Sequence, residues 1–517
     1  MIHRPIQRHN RLCTALLAGA TWAITAPAMA ATAPAAAPAT TSTTALVNAI
    51  DAQISQPRFA AASWGISVVS LDNGRTLYAH RADQLMQPAS TAKLFTAALA
   101  LSTLGPGFQL PTRLLASGTP HDGRLNGPLI LYGTGDPTLG TPTSADWAQQ
   151  LASQLLRRGV QEIKGDLIAD DSYFSGPTFG SGWEAGDLQS WFAVPSSALS
   201  VGENIVDISV TPAAAAGLTA SLTADPVDAQ LTIRGQITTT LARATSDINL
   251  YRAPGDSTLY AFGTVAARTP PQHFKLAVPE PALIAGEHLR AALADQGIRL
   301  TGRVRALHWP QADAALLASA ETLAEIRSPP LMDILQRGLK RSQNLYLQNL
   351  FLSVGAQQQG IESNAGPAPF ASTEQWSVKA LHQLLAQIGI APSAALLDEG
   401  TGLSRRDLVT PAAMARLLAY LAAQPYAVAL HDALPVAGVD GTLTGQMRHT
   451  AAENNVHAKT GSMTYVHCLV GYVTSAAGER LAFAIMLNNY DPPPGAPSTG
   501  SDVNAIALTL ANFGGRG

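Results

Sequence analysis

Three short polar motifs, spread between residues 90 and 461, constrain this 517-residue chain more than its composition does. They are Ser90-Thr91-Ala92-Lys93, Ser342-Gln343-Asn344 and Lys459-Thr460-Gly461. The chain has only six lysines, two of which stand in these motifs, and Ser90–Lys93 is its only S-x-x-K. Composition alone predicts a chance K-T-G about 0.05 times and a chance S-x-x-K about 0.4 times in such a chain. Each motif alone has an ordinary structural explanation: a surface pair on a helix, a helix N-cap, a strand-to-turn exit. Occurring together and in order, on a helix, a loop and a strand, they point to one shared cleft.

The chemistry of that cleft follows from the residue types. A serine hydroxyl is a weak nucleophile at neutral pH and needs a neighbouring base. Ser90 and Lys93 are three apart on a helical pattern, so they share a face. A buried lysine loses part of its proton affinity and becomes able to accept the serine proton. The apolar stretch from Ser90 to Leu104, between Pro88 and Gly105-Pro106, supplies that burial. Ser342 and Asn344 sit between two helical patterns, placed to relay a proton and to bond a substrate amide. Lys459 and Thr460 offer a cation and a hydroxyl to a carboxylate, and Gly461 lets a ligand approach the backbone.

Residues 1–30 read as an export signal. Arg4, Arg8 and Arg11 form a positive start, Leu12 to Ala26 is apolar, and Ala28-Met29-Ala30 gives a small-x-small cleavage pattern after Ala30. The alternative, a retained anchor, is disfavoured because the run is shorter than the ~20 residues of a membrane span and Pro27 closes it. The expected location is the periplasm, with no stable membrane span after cleavage. Cys13 lies at the start of the apolar run, which argues against a lipoprotein site, and Cys468 is then the only cysteine, a buried hydrophobe with no disulfide partner. Charged residues make up 13% of the chain, hydrophobic ones 46%, and the net charge is −3, so the chain is globular and has no basic run for nucleic acid.

Residues 31–43, all Ala, Thr, Pro and Ser, read as a flexible linker, with ordered structure from near Leu46. Strands are expected at 64–70 and 76–80, around the Asp72-Asn73-Gly74 turn, and at 456–459, 466–474 and 481–488. Helices are expected at 331–339, 345–354, 377–388, 411–421 and 503–513. The segment 109–320 is rich in Thr, Gly, Pro and Asp with short strand-like runs, and reads as one or two β-rich domains, two of them nested, inserted into a discontinuous catalytic domain (44–108 and 321–517). The class is α+β, an antiparallel sheet flanked by helices.

With these motifs placed, the chain resembles the class C low-molecular-mass penicillin-binding proteins, a family of D-alanyl-D-alanine carboxypeptidases and endopeptidases. The S-x-x-K and K-T-G motifs match those of serine β-lactamases and penicillin-binding proteins, with S-Q-N where some relatives have S-D-N. Glu399-Gly400-Thr401-Gly402-Leu403-Ser404-Arg405 is similar to the family's D-G-S-G-L-S-R stretch, and Leu434-Pro435-Val436-Ala437-Gly438-Val439-Asp440-Gly441-Thr442-Leu443 to its L-P-x-A-G-x-D-G-T-L block. Gly133–Leu139 and Gly165–Asp170 resemble segments of its inserted domains, and the long gap from Ser90 to Ser342 fits them.

The resemblance implies a serine β-lactamase/transpeptidase-like fold. It makes Ser90 the nucleophile, Lys93 the base, Ser342 the relay, and Lys459 with Thr460 the carboxylate pair, beside Asn344 and Gly461. Backbone amides of Ser90 and Ser462 would form the oxyanion hole. Arg405 and an inserted-domain acid, matched to Asp170, would line a pocket for the amino end of the stem peptide, flanked by Met463 and Thr464. Partners implied are peptidoglycan stem peptides and β-lactam antibiotics; no metal or organic cofactor is implied. Two other readings stay open: a β-lactamase or esterase of the same fold, and a non-catalytic scaffold or penicillin receptor.

Four further features weigh less. Gly133-Thr134-Gly135 after a strand mimics a phosphate loop, but Pro137 interrupts the helix such a loop needs. His457 and His467 flank the K-T-G motif and read as structural. No H-E-x-x-H occurs, which excludes that zinc peptidase signature. Trp183 and Trp191 read as packing residues, with sugar stacking as the other use.

Overall fold

The computed structural model describes residues 42–227, 229–311, 317, 319–363 and 369–517. The expected signal segment 1–30 and most of the 31–43 linker lie outside the described residues. The first described residue, Ser42, caps the helix Thr43–Ile54, its hydroxyl accepting from the Ala45 N–H.

A five-stranded antiparallel sheet carries the expected end-to-end pairing. Its order is His457–Met463, Val466–Thr474, Arg480–Asn488, Ser63–Ser70, Thr76–His80. Side chains alternate between its faces. Leu469, Val473, Phe483, Ile485 and Leu487 pack beneath the helices Thr43–Ile54 and Thr499–Ala511. Val470, Tyr472, Ala482 and Ala484 face the larger core, shared with the helices Lys93–Thr103, Leu331–Lys340, Asn344–Ser363, Thr373–Gln387 and Pro411–Ala422. Lys93–Thr103 is buried from Lys93 to Leu101, which explains its apolar character on every side. Truncating its fully buried Phe95 to alanine removes about 3–5 kcal/mol by the usual cavity cost.

Between these halves lies a second five-stranded sheet, ordered Val304–Leu307, Leu167–Asp170, Leu129–Tyr132, Pro111–Ala116, Glu321–Arg327. The strand Glu321–Arg327 pairs with Pro111–Ala116, so the boundary expected between 320 and 321 falls one strand too early. This region also holds two helices, Trp147–Arg157 and Pro281–Asp295, where the composition suggested a β-rich domain. Their buried residues, among them Leu151, Leu155, Ile284 and Leu289, share one core with the strands. The segment 205–277 interrupts this unit and is all strand, in two three-stranded sheets. Among the described residues no helix is long and apolar enough to cross a membrane.

Candidate active site

Ser90 lies in a 3-10 turn, Ala89–Ala92, that runs directly into the helix beginning at Lys93. Ala89 holds a left-handed conformation, φ 47°, just before the serine. A non-glycine residue there stores strain, which surrounding contacts must hold. Those contacts are present. Gln87 is clamped by Asn488, which accepts from its N–H at 2.8 Å and donates to its carbonyl at 3.2 Å. Gly402, at φ +78°, fits under the turn because any Cβ there would lie 1.9 Å from the Ala89 carbonyl oxygen. Gly461 admits the turn from the other side, since a Cβ would lie 2.6 Å from the Pro88 carbonyl oxygen.

The Lys93 ammonium nitrogen donates to Ser90 Oγ at 2.7 Å, to Asn344 Oδ1 at 2.5 Å and to the Thr401 carbonyl at 3.0 Å. Lys93 has no exposed surface. Burial draws its pKa from the usual lysine value down to about 7, and the negative charge of Glu399 opposes that fall. At neutral pH a large share of Lys93 is the free amine, the form that accepts a serine proton. Asn344 holds this base: its Oδ1 meets Lys93, and its Nδ2 donates to the Phe192 carbonyl at 2.6 Å. Both ends of the amide expected to bond substrate are thus engaged within the protein.

Ser342 also stands at positive φ, 56°, between the helices ending at Lys340 and beginning at Asn344. Its hydroxyl accepts from Lys459 Nζ at 2.8 Å, and the same amine donates to the Thr460 carbonyl at 2.7 Å. Lys459 is fully buried, and burial with the neighbouring Lys93 charge holds its pKa well below the usual range. The site therefore contains two amines that repel each other's protons, an arrangement an incoming carboxylate relieves.

The K-T-G motif sits within a strand rather than ending one. That strand, His457–Met463, is the sheet edge beside the nucleophile turn. An edge leaves alternate backbone groups free for an extended ligand. Ser462 is exposed on this edge, three residues past Lys459. Thr460 shares a 2.7 Å hydroxyl contact with Thr442, from the Leu434–Leu443 block. Met463 packs against Met86, Ala89 and Cys468, and Thr464 offers its carbonyl to Arg405 at 3.1 Å.

Gln343 turns away from Ser90, and its side chain donates to Glu203 of the inserted region at 2.9 Å. Glu203 also accepts from Arg337 Nη2 at 2.5 Å and from the Tyr346 hydroxyl at 3.1 Å. An aspartate at 343 would set a second carboxylate against Glu203, so the glutamine suits this neighbour. Glu399, the other departure, is buried under the loop it opens. Its carboxylate accepts four backbone N–H groups, from Thr401, Gly402, Leu403 and Ser404. This cradle sets the Thr401 carbonyl on Lys93 and aims Arg405 towards the edge strand.

One expectation is corrected. Asp170 is not the acid beside Arg405: it lies in the interior of the inserted sheet, 1% exposed, accepting from the Ser172 N–H at 2.9 Å. The acid that meets Arg405 is Glu184, at 3.4 Å, with Asp187 close enough to feel both charges. The pairing exists only once the insertion docks, and no local pattern around Trp183-Glu184 marks it. Trp183 packs near Phe179, whereas Trp191 is 40% exposed beside Phe192. His467 is half-buried and its pKa is pushed down to about 4 by that burial, and Cys468 is buried, its thiol pushed up by burial. The Gly133–Leu139 segment docks the insertion, with the Gly135 carbonyl accepting from Asn349 at 3.1 Å.

Comparison with known proteins gives the family. The model of the D-Ala-D-Ala carboxypeptidase 3 (S13) family matches residues 46–508. A D-alanyl-D-alanine carboxypeptidase from Actinomadura sp. (strain R39) is 34% identical over 90% of this chain and 84% of its own. The carboxypeptidase DacB of Haemophilus influenzae is 30% identical over 82% of this chain and 85% of its own. The crystal structure of penicillin binding protein 4 (dacB) from that organism superposes with a TM-score of 0.75 at 28% identity, covering 90% of this chain and 98% of that one. A second structure of it, complexed with a β-lactam, gives 0.72 at 27% identity, covering 90% and 99%. The fold is that of the penicillin-binding proteins, and the chain belongs to the D-Ala-D-Ala carboxypeptidase 3 (S13) family.

Proposed function

We propose that the chain is a serine D,D-peptidase that hydrolyses D-alanyl-D-alanine ends of peptidoglycan stem peptides, and also D,D-crosslinks, through an acyl-enzyme on Ser90. The observation that carries this reading is the 2.7 Å contact between Ser90 Oγ and a fully buried Lys93 whose pKa is drawn to about 7. Ser90 Oγ bonds the carbonyl carbon of the first D-alanine as its proton passes to Lys93 Nζ. The N–H groups of Ser90 and Ser462 take the developing oxyanion charge. The C–N bond then breaks, and the amine leaves with a proton delivered from Lys93 through the Ser342 hydroxyl. Water attacks the ester carbon, gives its proton to Lys93 and restores Ser90, which takes back the proton as the ester C–O bond breaks.

The terminal carboxylate binds at Lys459 and Thr460, with the peptide laid along the edge strand beside Gly461. Arg405 and Glu184 form an ionic pair suited to a zwitterionic amino end of the stem, between Met463 and Thr464. β-Lactams acylate the same serine. The leader at 1–30 sends the chain to the periplasm, where this substrate lies.

Intact-protein mass spectrometry after brief benzylpenicillin exposure tests the reading. A one-to-one adduct, absent from Ser90→Ala and decaying over hours, is the expected result. Rapid drug consumption without a trapped adduct would mean a β-lactamase, and intact drug with no adduct a scaffold.

A further inference from the structure

Behind the loop Glu399–Arg405 lies a second buried acid that the reaction above does not use. Asp407 has no exposed surface. It precedes the short strand Leu408–Val409, which pairs with Ala395–Leu396, so the loop leaves and returns at one place. Asp407 Oδ1 accepts from the Asp398 N–H at 2.9 Å, which ties the two ends of the loop together. Its Oδ2 is buried and meets no donor. The same carboxyl lies within hydrogen-bonding reach of the Glu399 carboxylate.

Two carboxyl groups that touch in an interior cannot both carry charge, and one proton between them turns repulsion into a hydrogen bond. Their partners decide which group holds it. Glu399 accepts four backbone N–H groups and Asp407 one, so the charge settles on Glu399 and the proton on Asp407. Burial first, and the Glu399 charge second, push the Asp407 carboxyl well above the usual carboxylate range. The other charged groups around the pair favour the same assignment. Asp398, paired with Arg406 at 2.8 Å, opposes a second charge, as does Glu374, which faces Glu399 beside Gln348. Lys93 attracts the one charge that remains.

We propose that Asp407 is a positioning residue that stays protonated and donates from Oδ2 to the Glu399 carboxylate, holding the loop that presents the Thr401 carbonyl to Lys93. The loop meets the catalytic groups and their helix at several points. Its Thr401 carbonyl accepts from Lys93 Nζ at 3.0 Å, its Gly400 carbonyl from Thr96 Oγ1 at 2.7 Å, and its Arg405 carbonyl from Gln87 Nε2 at 3.0 Å. A neutral Asp407 also leaves one negative charge near Lys93 instead of two. A second would keep the ammonium protonated and remove the base. This role rests on Ser90 and Lys93 acting as nucleophile and base.

Two variants of the full mature protein test it. Asp407→Asn keeps both contacts, its Nδ2 donating to Glu399 and its Oδ1 accepting from Asp398; Asp407→Ala loses both. Acylation of the asparagine variant by benzylpenicillin should stay within about threefold of wild type with the same pH midpoint, and that of the alanine variant should fall about 10–100-fold. The infrared difference spectrum, wild type minus Asp407→Asn at about pH 8, should show the carbonyl stretch of a protonated carboxylic acid, shifted in D2O. That band does not depend on the Ser90 reading, so the two fail separately. A folded asparagine variant as slow as the alanine one, an alanine variant at the wild-type rate, or a spectrum without the band would overturn the assignment. Should Asp407→Ala misfold by circular dichroism, the asparagine variant and the band decide.

Discussion

Gly461→Ala should cripple the enzyme while leaving its fold intact. The new methyl would lie 2.6 Å from the Pro88 carbonyl oxygen and 3.2 Å from both Ala89 Cβ and Thr91 Cγ2. The closest of these is backbone in the turn that holds Ser90, so no side-chain rotation relieves the clash. Restoring an ordinary contact requires the edge strand and the turn to part by about 0.8 Å, and displacements near 1 Å at a reacting centre cost about 100-fold in rate. The overpacking itself costs about 1–3 kcal/mol, too little to unfold a chain with three large cores. The assay is the second-order rate of Ser90 acylation by benzylpenicillin, with kcat/KM for D-alanine release alongside and urea unfolding as the fold control. A loss of about 100-fold in both rates is expected. Rates within threefold of wild type in a folded protein would refute the claim that strand and turn are rigidly opposed.

Three other outcomes follow from the same geometry. The acylation rate should fall about tenfold per pH unit below pH 7, because only neutral Lys93, with its pKa near 7, takes the Ser90 proton; a flat profile from pH 5 to 8 would remove Lys93 as the base. Arg405→Gln should lower kcat/KM for a stem peptide by about 10–100-fold, the value of a lost charged contact, yet leave penicillin acylation within threefold; equal losses on both would place Arg405 in the chemistry instead. His308, between Asp171 and Glu280, holds its proton up to about pH 10 when folded, against 6.5 ordinarily. Its stabilising effect is fully present below pH 6.5 and fades as pH rises through 10. The urea-unfolding deficit of His308→Gln should therefore shrink across that window, and a deficit independent of pH would contradict the ion pairing.

Local chemistry was legible in the sequence where one element carries it. Ser90 and Lys93 lie one turn apart, and apolar patterns marked most helices and strands of the catalytic half, although the helix expected at 345–354 runs on to Ser363 and the strand expected at 456–459 to Met463. Pairing across long separations was not legible. Glu321–Arg327 reads like any short strand, and only its ladder with Pro111–Ala116 assigns it to the insertion. The helices Trp147–Arg157 and Pro281–Asp295 were hidden by the Gly- and Thr-rich composition around them. Asp170 lies in a family-like segment, yet the sheet buries it, and Glu184 reaches Arg405 through docking alone. Glu203 likewise answers Gln343 from 140 residues away, which no motif spacing encodes.

The strand Ser63–Ser70 lies inside its sheet, between Thr76–His80 and Arg480–Asn488, with Ser63 opposite Asn488. A chain leaving a membrane pore from its N-terminus would expose that strand long before its main partner emerged. The nucleophile turn, clamped by Asn488, would wait with it. Ser90 would thus stay chemically silent until the C-terminal strands arrived. The same order would leave that apolar strand without its main partner for as long as the C-terminal part was still to come, the condition in which a holding chaperone matters most.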